Sequence, residues 1–122
     1  MQVAIPCTIM RGGTSRGPFF LASDFPEDMS AKERVLLAVM GTGNATQIDG
    51  IGGGSSLTNK AAIVSRSTHP DADIDYLFAQ VSVDQRMVDF APSCGNMLSA
   101  VVPFAIENGL VTVSNDETRV RV

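Results

Sequence analysis

The sequence predicts an α+β fold with antiparallel strand pairing. Three observations point to it: short alternating apolar segments outnumber helical ones, they come in hairpin-like pairs, and two segments carry a helical pattern with recognisable ends. Val3 to Met10 reads as a strand, and Pro18 to Ala22 as a second after a Gly-rich turn. Ser30 to Met40 reads as a helix: Ser30 and Glu33 form a capping-box pattern, Val35, Leu36, Val39 and Met40 make an apolar stripe, and Gly41 and Gly43 stop it. Ala61 to Ser65 is a short strand. Leu77, Ala79, Val81 and Val83 alternate as another, and Met87 to Phe90 is its hairpin partner across Asp84-Gln85-Arg86.

Gly95 to Asn108 reads as the second helix, ended by Asn108-Gly109. Met97, Leu98, Val101, Val102, Phe104 and Ile106 leave it almost no polar face, so it is expected to be enclosed by strands. Pro103 inside it removes one backbone hydrogen bond and predicts a kink. After the turn signal Asn115-Asp116, Glu117 to Val122 alternates as a half-buried strand. That pattern is still running at Val122, which suggests a piece of a longer protein.

Composition narrows the function. The chain has 122 residues, 44% of them apolar and 18% charged. That suits one packed domain and excludes a disordered tail or a coiled coil. Thirteen acidic against nine basic residues give a net charge of −4, the wrong sign for a phosphate-backbone binder, so no nucleic-acid partner is expected. No apolar run approaches the roughly 18–20 residues of a membrane span, and residues 1–6 lack the basic start of a signal peptide. The expected compartment is the cytoplasm, with no membrane partner. Two cysteines, Cys7 and Cys94, and one histidine, His69, are too few and too scattered for a zinc site, so no metal is expected.

Two Gly-rich segments invite a ligand. Gly50-Ile51-Gly52-Gly53-Gly54-Ser55-Ser56-Leu57-Thr58-Asn59-Lys60 fails as a P-loop, because Asn59 precedes Lys60 and Ala61 follows it. It fails as a dinucleotide fingerprint, because it leads into a strand. A loop that cradles a small anion and a solvated surface turn both fit it. Arg11-Gly12-Gly13-Thr14-Ser15-Arg16-Gly17 offers two arginines and two hydroxyls on a permissive turn, suited to a carboxylate or simply to solvent.

Ala91-Pro92-Ser93-Cys94-Gly95-Asn96-Met97 is the most informative stretch. Ser93 is the candidate N-cap, placing Cys94 in the first helical turn, where unpaired N–H donors and the helix dipole favour a thiolate. The same donors can hold a substrate carboxylate, and Gly95 lets it approach. A buried structural cysteine is the competing reading.

With these residues in view, three segments resemble the PrpF family, which includes 4-oxalomesaconate tautomerase and methylaconitate or methylitaconate isomerases. They are Ile5-Pro6-Cys7-Thr8-Ile9-Met10-Arg11 through Gly17, Gly50 through Lys60, and Asp89-Phe90-Ala91-Pro92-Ser93-Cys94-Gly95-Asn96-Met97. The resemblance implies one half, here residues 1–122, of a two-domain diaminopimelate-epimerase-like fold. Each half would be an antiparallel β-rich roll around a central apolar helix, with the active site in the cleft between them. It implies a cofactor-independent isomerase or tautomerase that shifts a proton, allylic or keto–enol, in a small unsaturated di- or tricarboxylic acid.

By resemblance, Cys94 and Lys60 match the family's catalytic positions. An ammonium beside several carboxylates stays charged, so Cys94 is assigned as base or proton shuttle and Lys60 as the stabiliser of a developing dienolate or the returning acid. Thr14, Ser15, Arg16, Ser55, Ser56, Gly95, Asn96 and Met97 are the candidate substrate contacts. The expected partners are the polycarboxylate, the second half of the same chain and, as a further option, identical copies. Two alternatives stay open: an amino-acid epimerase or racemase of the same fold, and an inactive truncated domain acting only in self-association.

Overall fold

A computed structural model describes residues 2–114 and 116–122. The polypeptide runs β1 (Thr8–Gly12), β2 (Ser15–Leu21), α1 (Met29–Met40), β3 (Lys60–Arg66), β4 (Ile74–Val81), β5 (Val88–Asp89) and α2 (Gly95–Glu107). The strands form one five-stranded sheet in the order β1-β2-β3-β4-β5. The α+β class therefore holds, but the pairing is mixed. β1–β2, β3–β4 and β4–β5 are antiparallel, whereas β2 and β3 run parallel. The reason is that α1 lies between β2 and β3 in sequence, and a crossover of that length returns the chain to the same end of the sheet.

The boundaries follow from local chemistry. The antiparallel register pairs Thr8 with Phe19, and two residues outward Pro6, which has no N–H, would face the end of β2 at Leu21. Residues 2–7 consequently carry no strand pairing, and the first strand is shorter than the alternation suggested. β2 instead starts early, because Gly13 and Thr14 alone close the hairpin. Gly13 has φ +52°, as the first position of a II′ turn requires.

Helix α1 is capped by Asp28, whose carboxylate accepts the Ala31 N–H at 2.9 Å, two residues before the expected Ser30 cap. Ser30 receives a hydrogen bond from Arg34 instead. Gly41 ends the helix as expected.

β3 explains the layering. Ala61, Ala62, Ile63 and Val64 are all buried, the mark of a strand covered on both faces. Ala62 and Val64 join Phe19, Ile74, Phe78 and α2 in one core. Ala61 and Ile63 join Phe20, Ala79, Val81 and α1 in the other. The described residues are thus arranged helix–sheet–helix, with α1 and α2 packed on opposite faces of the sheet. Met97, Ala100, Val101, Phe104 and Ala105 of α2 are buried, while Leu98 is 40% exposed and Pro103 faces out. Within these 122 residues the sheet covers one side of α2, so the enclosure expected on all sides is not supplied by their strands alone. The helix continues past Pro103 to Glu107.

The turn expected at Asn115-Asp116 falls partly outside the described residues. Glu117–Val122 is not a ladder strand. Arg121 hydrogen-bonds the start of β4: its carbonyl accepts the Asp73 and Ile74 N–H groups at 2.9 and 3.1 Å, and its N–H donates to the Asp73 carboxylate at 2.8 Å. The Arg121 guanidinium holds the Asp73 carboxyl below its ordinary value.

Phe104 is the keystone of the α2 core, 2% exposed, with its ring 5.7 Å from that of Phe19. Phe104→Ala is expected to cost about 3–5 kcal/mol, read as a lower urea midpoint at unchanged slope.

Candidate active site

Because β2 and β3 run parallel, they start at the same end of the sheet. Both glycine loops, Arg11–Gly17 and Gly50–Lys60, lead into those starts, and the N-terminus of α2 packs there against β1 and β2. The approach is close. A Cβ on Gly17 would overlap the carbonyl oxygen of Lys60, and one on Gly13 would overlap the side-chain amide of Asn96. Gly17→Ala is expected to push the start of β3 aside and cost about 1–3 kcal/mol, measurable by thermal unfolding.

Cys94 is itself the N-cap of α2, not Ser93, and its Sγ accepts the Met97 N–H at 3.4 Å. The thiol is 9% exposed. Lys60 Nζ lies 3.5 Å from this sulfur and donates to Ser15 Oγ at 3.1 Å. Ser15 is fully buried. Burial pushes the Cys94 thiol up. The Met97 N–H, the Lys60 charge and hydrogen bonds from Lys60 and Ser15 outweigh it, so the net shift is downward and favours the thiolate. The Lys60 ammonium also sits 5.8 Å from the Phe78 ring centroid, a cation–π contact.

Tyr76 was not legible as a site residue. Its hydroxyl donates to the Cys94 carbonyl at 3.3 Å, and burial followed by the nearby Cys94 charge pushes its pKa upward, so the phenol stays protonated. No local pattern marks it, because it approaches from β4. A cavity of about 380 Å³, within the usual range for small-molecule sites, is lined by Cys94 with Tyr76, Ser93, Gly95 and Leu98, and Lys60 is not among its lining residues.

The remaining sequence-selected residues divide. Asn96 Nδ2 donates to Thr14 Oγ1 at 3.0 Å, tying the first hairpin to the helix mouth. Gly95 is open, with nothing near an added Cβ. The Met97 N–H is already taken by the thiol. Ser55 and Ser56 sit on the exposed loop leading into Lys60. Ser55 Oγ hydrogen-bonds Thr58 Oγ1 at 2.9 Å, and the Ser56 carbonyl accepts from Gln80 at 3.1 Å. Arg16 is exposed and leaves β2 on the pleat opposite Ser15, the same side as its partner Arg11, so the hairpin does not aim it at the thiol. Cys7 and Cys94 are both free thiols. Among the described residues no three His, Cys, Asp or Glu side chains gather as metal ligands would, and no helix is long and apolar enough to cross a membrane.

Comparison with known proteins adds context to this geometry. The chain is 56% identical over 121 residues to the 4-oxalomesaconate tautomerase of Pseudomonas putida, covering 99% of this chain and 34% of that protein. It is 49% identical over 119 residues to the 2-methyl-aconitate isomerase of Cupriavidus necator, covering 93% of this chain and 30% of that one. A crystal structure of methylitaconate-delta-isomerase superposes with a TM-score of 0.91 at 47% identity, over 95% of this chain and 30% of that one. The chain thus spans about a third of the length of these relatives. A family profile described as PrpF protein matches residues 2–122, and with a match of that extent the chain belongs to the PrpF family.

Proposed function

We propose that the full-length protein is a cofactor-independent isomerase that moves a proton along an allylic or keto–enol system of a small unsaturated di- or tricarboxylic acid. The observation that carries this reading is the 3.5 Å approach of Lys60 Nζ to Cys94 Sγ at the mouth of α2. A thiolate held beside an ammonium supplies a base and a charge stabiliser in one place, which proton transfer from carbon needs.

The step is written as follows. The Cys94 thiolate takes a carbon-bound proton next to a carbonyl or carboxylate-activated double bond. The electron pair left on carbon moves into the conjugated system, and the Lys60 ammonium stabilises the dienolate. The proton returns at the far carbon or oxygen either from Cys94, which becomes thiolate again, or from Lys60, whose neutral amine then takes the proton of the Cys94 thiol 3.5 Å away, so that both groups are restored. Thr14, Ser15, Ser55, Ser56 and the free N–H groups of Gly95 and Asn96 are the carboxylate contacts. The first-turn donors and dipole of α2 favour an anion there. Arg16 reaches a carboxylate only around the hairpin tip. The other wall of the cleft is assigned to a second half of the same chain in a diaminopimelate-epimerase-like arrangement, in keeping with relatives about three times as long.

The test is to supply oxalomesaconate, methylaconitate and methylitaconate separately to the full-length protein and follow ultraviolet absorbance. Turnover of one of them is expected. Racemisation of an amino acid with no turnover of these acids would establish the epimerase reading instead. An assembly inert toward both classes would favour self-association.

A further inference from the structure

Lys60 begins β3 directly after a buried polar pair that the chemistry above does not use. Gln47 is 1% exposed and Asn59 0%. Gln47 Nε2 donates to Asn59 Oδ1 at 2.6 Å, and its Oε1 accepts the Gly54 N–H at 2.7 Å. Asn59 Nδ2 donates to the Val81 carbonyl at 2.7 Å, and the Asn59 carbonyl accepts the Val81 N–H at 3.0 Å. The pair therefore clips the residue before Lys60 to the end of β4 and holds the Gly-rich loop at the same time.

Gln47 also has φ +50°, in the left-handed region that a long side chain avoids at a cost of roughly 1–2 kcal/mol. Its backbone is held within the loop that follows α1: its N–H donates to the Asn44 carbonyl, and its carbonyl accepts the Gly50 N–H. A connection that merely led from α1 to β3 would need neither a strained backbone nor a buried amide. A Cβ on Gly52 would strike both amides, so the loop is built around this pair.

We infer that Gln47 is a positioning residue, whose buried amide, through Asn59, fixes the start of β3 and so the place of the Lys60 ammonium beside the Cys94 thiol. This rests on the functional reading above. Polar groups buried in this way are costly when left unpaired, and they hold one geometry when satisfied. Gln47→Met keeps the length of the side chain but strands the Asn59 oxygen and the Gly54 N–H. Gly52→Ala disturbs the same pair without altering either member.

The test is the pH dependence of iodoacetamide alkylation at Cys94, read on the Cys94 peptide by mass spectrometry in a Cys7→Ser background. Lys60→Met, in which the charge is gone, defines the full loss of coupling and is expected to raise the alkylation midpoint. Gln47→Met and Gly52→Ala are each expected to raise it part of the way, with a several-fold lower alkylation rate at neutral pH. A purely structural pair would lower the unfolding temperature and leave the midpoint in place. If Lys60→Met moves the midpoint and neither of the other two does, the positioning role is overturned and the active-site reading stands. If Lys60→Met itself leaves the midpoint unmoved, the active-site reading fails first. Loss of folding in both Gln47→Met and Gly52→Ala, seen by circular dichroism, also overturns the positioning role.

Discussion

Cys94→Ser in the full-length protein is expected to lower kcat by about 10²–10⁴-fold, the usual weight of a positioned acid–base group. Serine keeps the size and the capping hydrogen bond: its hydroxyl can still accept the Met97 N–H that Sγ accepts now. What it loses is acidity. A hydroxyl next to Lys60 remains protonated at neutral pH, so no base of matched strength faces the substrate. The helix stays capped, and the unfolding temperature should change little. A large fall in kcat at near-constant stability, in steady-state kinetics beside a thermal melt, is the expected pair of results. A rate like that of the unmodified protein would remove the thiol from the chemistry.

Lys60→Met is the second large effect. Removing a charge that stabilises a developing oxyanion costs about 10²–10³-fold in kcat. It has a second signature that the serine variant cannot give. Burial alone pushes the Cys94 thiol up, and the Lys60 charge is among the effects that reverse this. Without it the thiol titrates higher. The base form is the thiolate, so activity rises with pH through the Cys94 midpoint, and the acid limb of the profile should move to higher pH in Lys60→Met. The same shift bears on stability. A thiol that ionises lower in the folded than in the unfolded protein contributes stability that is fully present above the unfolded value. That stability is lost as pH falls through the folded value.

The helix mouth was readable in sequence because its chemistry is local: Pro92, Cys94 and Gly95 are adjacent and announce a helix start. Even there the cap shifted by one residue, since Ser93 and Cys94 both carry an acceptor and only tertiary packing chooses between them. Lys60 became a candidate through family resemblance alone. Its approach to Cys94 joins residues 34 apart, which no spacing rule reaches. Tyr76 and Gln47 stayed hidden for the same reason, as their partners lie 18 and 12 residues away.

Arg16 shows a different limit. Its loop composition suits a carboxylate, but a strand residue's face depends on the register. The two-residue turn at Gly13-Thr14 sends Ser15 inward to Lys60 and Arg16 to the far pleat. The parallel β2–β3 pair was missed because each strand, taken alone, is too short to show which neighbour it will choose. The enclosure expected of α2 is not supplied by these strands alone, because apolar composition reports what a helix can bury, not how much cover the sheet provides.

The most direct measurement is a titration of the Cys94 thiolate, read as the far-ultraviolet absorbance difference between protein carrying Cys7→Ser and the same protein with Cys94→Ser as well. A midpoint well below the ordinary thiol value of about 8.5, moving upward when Lys60 is replaced by methionine, is the predicted result. A midpoint at or above that value, indifferent to the loss of Lys60, would contradict the assignment of this pair as the proton-transfer machinery.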